Sequence, residues 1–288
     1  MKHLRWKAML CLVVTFAMTS SACVRAIDPA THTPAPTSLE LTPTEQAATS
    51  PAPDLPALEE LRQGLRFDHL TPEMGLSQSV VSDMLQDDLG FLWLATQDGL
   101  NRYDGFEFKI FKHDPRRPEG LSNSFVTFIE KGLDGALWIG TNAGGLDRYD
   151  PRTGAFTHYR HDPQDPASLS ENSVTALHVD RLGRLWVGTP NSGLNLLDAA
   201  SGQFTHYRHD PANPASLSHD WVSALWQAAD GALWVGTTGG GLNRLDPEMG
   251  RFTRYTADLD DPGSLSSNFV ATVYEDRQGT LWVGTTDA

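Results

Sequence analysis

Along most of the chain, apolar residues come in short runs that Gly, Asp, Asn and Pro interrupt at regular intervals. One stretch reads SVTALHVD (residues 173–180), a turn RLG, then RLWVGT (184–189). The loop PNSG leads on to LNLLD (194–198), and AASGQ leads to FTHYRHD (204–210). Each run has the length and the β-branched or aromatic content of a strand, and the residues between are turn formers. Runs that are apolar at more than alternate positions are buried on both faces. The stretch predicts four antiparallel strands packed between neighbours.

The unit recurs. Trp93, Trp138, Trp186, Trp234 and Trp282 stand 45, 48, 48 and 48 residues apart, in the phrases LWLAT, LWIGT, LWVGT, LWVGT and LWVGT. Twelve residues before each stands a valine: Val81, Val126, Val174, Val222 and Val270. A period in the forties built from short strands predicts an all-β fold, a β-propeller of four-stranded antiparallel blades. The blades fall at about 76–112, 121–161, 169–209, 217–256 and, in part, 265–288. Asp134-Gly135 and Asp230-Gly231 mark hairpins between first and second strands. The tryptophans are expected to fill the space between blades, with Gly140, Gly188, Gly236 and Gly284 leaving room beside them. Residues 65–71, LRFDHLT, are expected to be a closing strand. Four complete repeats and a partial fifth would leave apolar blade faces bare, so a larger ring of about seven blades is expected.

Upstream of the repeats the composition changes. The first 23 residues combine a basic start, MKHLRWK, an apolar run, AMLCLVVTFAMT, and SSAC, which together predict an export signal. The apolar run is short of the roughly 20 residues that span a membrane. SSAC resembles a bacterial lipobox ending in Cys23, the expected lipidation site, although Ser20 stands where Leu, Val or Ile is usual. Cleavage after Ala26 and an uncleaved anchor are the alternatives; all three place the body outside the cytoplasm, and a lipid on Cys23 or the anchor is expected to tether it at the membrane. Residues 24–64 are rich in Pro, Ala and Thr and are expected to be a disordered tether. Cys11 and Cys23 are the two cysteines, so the exported body has no disulfide and no cysteine-held metal. The formal charge is −14, and the basic leader makes the body more acidic still, which disfavours nucleic-acid binding.

The phrases DRLGRLWVGTPNSGLNLLD, DRQGTLWVGT and DGALWIGTNAGGLDRYDPRTGAFTHYRHDPQDPASLSENSV resemble the two-component regulator propeller repeat, as does FDHLTPEMGLSQSVVSDMLQDDLGFLWLATQDGLNRYDG near the start. The resemblance runs from about Arg66 to the C-terminus. It implies the extracytoplasmic sensing part of a bacterial membrane receptor. In that family an Ig-like domain, a membrane span and a histidine kinase or other output usually follow, and many members respond to glycan fragments. The expected partners are thus a glycan or small polar ligand and a signalling module beyond this chain. No cofactor is implied.

Strand order locates the expected binding surface. In a four-stranded meander the loop between strands two and three shares an end with the connection to the next blade. That end carries the variable loops, a common arrangement for binding sites. Three residues before the aligned valines stand Gln78, Asn123, Glu171, His219 and Ser267, and two before stand Ser79, Ser124, Asn172, Asp220 and Asn268. The second loops add Gln97, Asp98, Asn142 and Asn191. A rim of amides, hydroxyls and carboxylates suits a polyhydroxylated ligand; these residue types are equally the ones that cap loop backbone.

Catalytic readings are weaker. HYRH occurs twice, as His158/His161 and His206/His209, but on outer strands of separate blades, which argues against a shared metal site. Ser168, Ser170, Ser216 and Ser218 lack a Gly-x-Ser-x-Gly context. A propeller glycosidase or lyase remains the enzymatic alternative, with His178, Trp226, Glu171 and Asp220 as residues that break the repeat. A protein-binding propeller is the third, for which Trp221 is the exposed aromatic candidate. The segment HDPANPASLS (209–218) reads as a joint between blades, with Leu217 as its anchor.

Overall fold

The computed structural model describes residues 24–27 and 67–286. The leader with Cys23 and the body of the tether lie outside the described residues. Strand β1 (Val24–Ile27) stands apart at the start. β2 (Val81–Gln86), β3 (Leu92–Thr96), β4 (Gly99–Tyr103) and β5 (Phe108–Phe111) then form a four-stranded antiparallel sheet in sequence order. The second sheet is β6 (Val126–Lys131), β7 (Leu137–Thr141), β8 (Leu146–Asp150) and β9 (Ala155–Tyr159). The third is β10 (Ala176–Val179), β11 (Leu185–Gly188), β12 (Leu194–Asp198) and β13 (Gln203–Tyr207). The fourth is β14 (Val222–Gln227), β15 (Leu233–Thr237), β16 (Gly241–Asp246) and β17 (Arg251–Tyr255). The fifth contains β18 (Val270–Glu275), β19 (Leu281–Thr285) and, on the far side of β19, β1. These are propeller blades, and their first strands β2, β6, β10, β14 and β18 touch in succession.

One steric device repeats at each blade interface. In blades one, two, four and five the pairing of the first two strands slips by one residue just after the aligned valine, a β-bulge. The valine side chain lands on the second strand of the preceding blade. A Cβ placed on Gly140, Gly188 or Gly236 would stand 2.6 Å from Cγ1 of Val174, Val222 or Val270 respectively. Beside each glycine, and beside Ala95 in the first blade, the tryptophan closes the interface: Trp93, Trp138, Trp186 and Trp234 are 0%, 6%, 0% and 5% exposed. Trp93 packs with Val126 and Ile129 of the next blade, Trp138 with Val174, Trp186 with Val222 and Trp234 with Val270. Trp282, with no following blade among the described residues, is 40% exposed.

The third strands carry a second repeated device. Asn101, Asp147, Asn195 and Asn243 are fully buried, and each accepts the N–H of the serine that begins the approach to its own blade: Ser77, Ser122, Ser170 and Ser218. The asparagines also donate Nδ2 to a second-strand carbonyl. Asp147 has no such hydrogen, and His158 Nδ1 stands 2.7 Å from its Oδ1 instead. Burial still raises the pKa of Asp147 above its ordinary value. The residue facing this column from the fourth strand is Ile110, His158, His206 and Arg254 in turn.

Two expectations for the ends need correction. The described part of the anticipated closing strand, residues 67–71, is not a strand; it runs into a 3-10 turn at Pro72–Met74. Phe67 is 78% exposed and so gains nothing from a sheet, and Pro72 has no N–H to continue one. The place beside β19 goes to β1, within the segment expected to be wholly disordered, with Val24 paired to Gly284 and Ile27 to Leu281.

The interlock makes a direct prediction. Gly188→Ala drives a methyl into Val222 and is expected to destabilise the protein by about 1–3 kcal/mol in urea unfolding. Val222→Ala in the same chain should recover part of that loss, because the two residues compete for one space; strictly additive losses would refute the interlock.

Candidate functional site

The joint between blades is a closed hydrogen-bond unit. His209 Nδ1 lies 2.8 Å from Leu217 O, and the His209 N–H donates to Asp220 Oδ1 at 2.7 Å. Ser216 Oγ accepts the Asp210 N–H and donates back to Asp210 O. The joint at His161 repeats this through Leu169, Asn172, Asp162 and Ser168. Thus Ser124, Asn172, Asp220 and Asn268 each accept an N–H from the end of the preceding blade, at residues 113, 161, 209 and 257. Gln78, Asn123, His219 and Ser267 each accept the N–H two residues ahead. Capping therefore consumes most of the expected rim.

What remains is more selective. Glu171 departs from its column: its two oxygens accept Asn191 Nδ2 at 3.1 Å and the Asn191 N–H at 3.0 Å. Asp98 pairs with Lys112. Gln97 and Asn142 are exposed on the second loops, and His219 lies against Gly239. Ser79, at the start of the first blade, has no preceding blade to cap among the described residues. The exposed aromatics at the rim extend beyond Trp221. The residue just before the aligned valine is Val80, Phe125, Ser173, Trp221 and Phe269. Trp221 is 43% and Phe269 40% exposed. The backbone carbonyls of Phe125, Trp221 and Phe269 accept the N–H of Asn142, Thr238 and Thr286, so each second loop is pinned to this position. Bulk at this place in four of five repeats was the signal available.

Further along the inner strands a polar line crosses from blade to blade. Asp83 accepts the N–H of Met84 at 2.8 Å and of Ile129 in the next blade at 2.9 Å. Burial outweighs those bonds and pushes its pKa up to about 6. Glu130 reaches the N–H of Val179 in the third blade at 3.4 Å. Burial, with the charge of Asp83 adding to it, pushes Glu130 up to about 7, although 32% of its side chain is open to water. His178 Nδ1 lies 3.9 Å from Glu130 Oε1, and burial lowers the His178 pKa. The His178 ring is 6.4 Å from Trp226, which meets Tyr274 edge-on at 4.9 Å. His178 Nε2 and Trp226 Nε1 are buried without a hydrogen-bond partner. Of the repeat-breaking residues, His178 and Trp226 are thus brought together, whereas Glu171 and Asp220 lie apart from them in separate rim contacts.

The two HYRH segments need one correction. His161 and His206 come from different blades, yet both line one cleft, with Asp162, Asp165 and Arg208. Outer strands of neighbouring blades are adjacent at the joint, which strand position alone did not reveal. Among the described residues no group of three His, Cys, Asp or Glu is placed to hold a metal ion.

Three stretches, residues 75–98, 168–191 and 264–287, match the two-component regulator propeller family. The chain is 48% identical over 56 residues to Histidine kinase P4 of Formosa agariphila, which covers 19% of this chain and 4% of that protein. Among solved structures it is similar to the extracellular domain of BT3049 from B. thetaiotaomicron, described as a hybrid two component system. That match has a TM-score of 0.67 and 30% identity, and covers 76% of this chain and 29% of the other. The extracellular domain of BT4673 from the same organism, described as a one component system, aligns with a TM-score of 0.58 and 26% identity over 72% of this chain and 26% of that one. The chain thus spans under a third of these relatives' lengths.

The inner-strand carboxyls predict a pH dependence. Both have raised pKa values, so the folded protein holds their protons more tightly than the unfolded chain. Their stabilising contribution is complete below the ordinary values of 3.8 and 4.5 and is lost as pH rises through about 6 to 7. Glu130→Gln is expected to raise Tm at pH 8 by about 2 °C or more and to leave it unchanged at pH 4. Thermal melts at the two pH values check this; an equal shift at both would show that the carboxyl's ionisation is not the cause.

Proposed function

Because this chain carries two-component regulator propeller repeats, we propose that it is the extracytoplasmic sensory propeller of a bacterial two-component receptor. The observation that carries the reading is the joint likeness, in repeat and in fold, to extracellular domains of two-component systems. The ligand is a glycan fragment or comparable hydroxyl-rich molecule bound at the rim. The exposed rings of Trp221 and Phe269 offer flat apolar faces, and the Glu171–Asn191 pair, Gln97, Asn142 and His219 supply donors and acceptors between them. A sugar ring needs both: C–H faces to cover an aromatic and hydroxyls to meet fixed polar groups.

Signal output belongs to a histidine kinase module such as the one named in the relative from Formosa agariphila. The chain itself binds and does not catalyse. The inner-strand carboxyls are spent on structure, Asp83 on the N–H of Ile129 and Glu130 on that of Val179, and propeller architecture alone carries no chemistry. The leader, ending in Cys23 or acting as an uncleaved anchor, tethers the propeller at the outer face of the membrane. The acidic body keeps nucleic acid off.

Titration of the full chain with neutral and acidic oligosaccharide sets, followed by calorimetry and mass spectrometry, tests the reading. Binding without cleavage is expected. Trp221→Ala should weaken it about tenfold, and Glu171→Gln severalfold. Appearance of shortened products would replace the sensor with an enzyme, and undiminished binding by Trp221→Ala would move the ligand off the rim.

A further inference from the structure

The joints between blades two and three and between blades three and four share a backbone and differ in what fills them. In both, a serine N–H closes the same turn: Ser168 onto Asp165 O and Ser216 onto Asn213 O, each at 3.0 Å. In both, a histidine from the preceding outer strand bonds the leucine carbonyl, His161 to Leu169 O and His209 to Leu217 O. At the later joint Arg254 enters this framework. Its Nε donates to Ser216 O at 2.9 Å, and its Nη2 to Asn213 O at 3.0 Å, Ser216 Oγ at 2.7 Å and Leu217 O at 3.1 Å. A guanidinium is thus what this arrangement of acceptors holds.

At the earlier joint the residue in the register of Arg254 is His206, which faces Asn195 as Arg254 faces Asn243. The shorter ring reaches only Ser168 O, at 2.9 Å. It leaves a cleft of about 430 Å³ lined by His161, Asp162, Asp165, Ser168, Ser170 and His206, with Arg208 and two prolines. Ser168 O and Leu169 O each keep a second lone pair. Ser170, 6% exposed, has a hydroxyl with no hydrogen-bond partner. The charge differs in the matching sense: Asp165 stands where the filled joint has neutral Asn213. Its Oδ1 caps the Ala167 N–H at 2.9 Å, leaving the other oxygen for a ligand. Arg208, the one cation in the lining, is outnumbered by Asp162 and Asp165.

We propose that this cleft is a second binding site, separate from the rim, and that it takes a guanidinium group supplied from outside the chain. The ligand's donors would meet the Ser168 carbonyl, as Arg254 meets that of Ser216 one blade later, and the free carboxylate oxygen of Asp165, where the filled joint offers only the Asn213 backbone carbonyl. Charge-assisted bonds from a planar fork to fixed acceptors account for the selectivity over a neutral amide.

Titrating the full chain with N-acetyl-arginine amide, followed by NMR, tests this. Saturable binding is expected, and the uncharged N-acetyl-citrulline amide should bind at least about tenfold more weakly. His206→Arg copies the filled joint; it should fold, melt no lower than the parent, and lose binding by at least about tenfold. Asp165→Asn, which keeps the cap at Ala167, should bind about threefold to fivefold more weakly and carries the test if His206→Arg fails to fold. A glycine-flanked arginine peptide identifies the source: affinity about tenfold above the amide points to a protein partner, and equal affinity to a small guanidinium compound. No binding by the parent, equal binding of the citrulline compound, or a folded His206→Arg that binds like the parent would overturn the proposal. None of these outcomes bears on glycan binding at the rim, which rests on different residues.

Discussion

The contact on which the structure depends is a valine methyl seated over a glycine. Val174, Val222 and Val270 occupy space that Gly140, Gly188 and Gly236 leave in the preceding blade. That approach brings the sheets close enough for each tryptophan to be excluded from water. Truncating a buried aromatic of this size costs roughly 3–5 kcal/mol, so the interface, repeated, outweighs any single surface feature. Stability is nearest-neighbour in kind, as in other repeat folds. The last blade shows this by contrast, since its Trp282 is left partly in water.

A scaffold fixed in this way frees other columns to vary, and function is found in the variation. The column two residues before the valine is held to capping by the neighbouring blade's backbone. The column just before it has its carbonyl fixed and its side chain free, and there Phe125, Trp221 and Phe269 appear. The column facing the third strand holds Ile110, His158, His206 and Arg254, four solutions to one position. His158 answers a buried aspartate, Arg254 fills a joint, and His206 leaves one open. Repeats act as internal controls: one copy shows what chemistry another copy's space accepts.

The inner-strand line follows the same logic at lower dielectric. Asp83, Glu130, His178, Trp226 and Tyr274 replace the aliphatic residues that pure packing would favour at a blade interface. Burial keeps the carboxyls protonated closer to neutrality than free acids, which lets them lie near one another without full charge repulsion. No local motif announces this line, because each member belongs to a different repeat.

The sequence alone determined the blade, its period, the tryptophan interfaces and the joint role of HDPANPASLS. These follow from hydrophobic alternation, turn chemistry and repetition, which are local and written five times over in register. It also named the polar rim, but not which members were already engaged; Asn172 and Asp220 look free until the preceding blade's N–H groups come within 3 Å. Only the tertiary structure decided that β1 rather than residues 67–71 pairs with β19, that His161 and His206 share a cleft, and that Glu130 meets His178. Each is a contact between segments far apart in the chain, governed by which strand gains more by burial and by what the adjacent blade leaves unfilled. Local pattern carries no information about either.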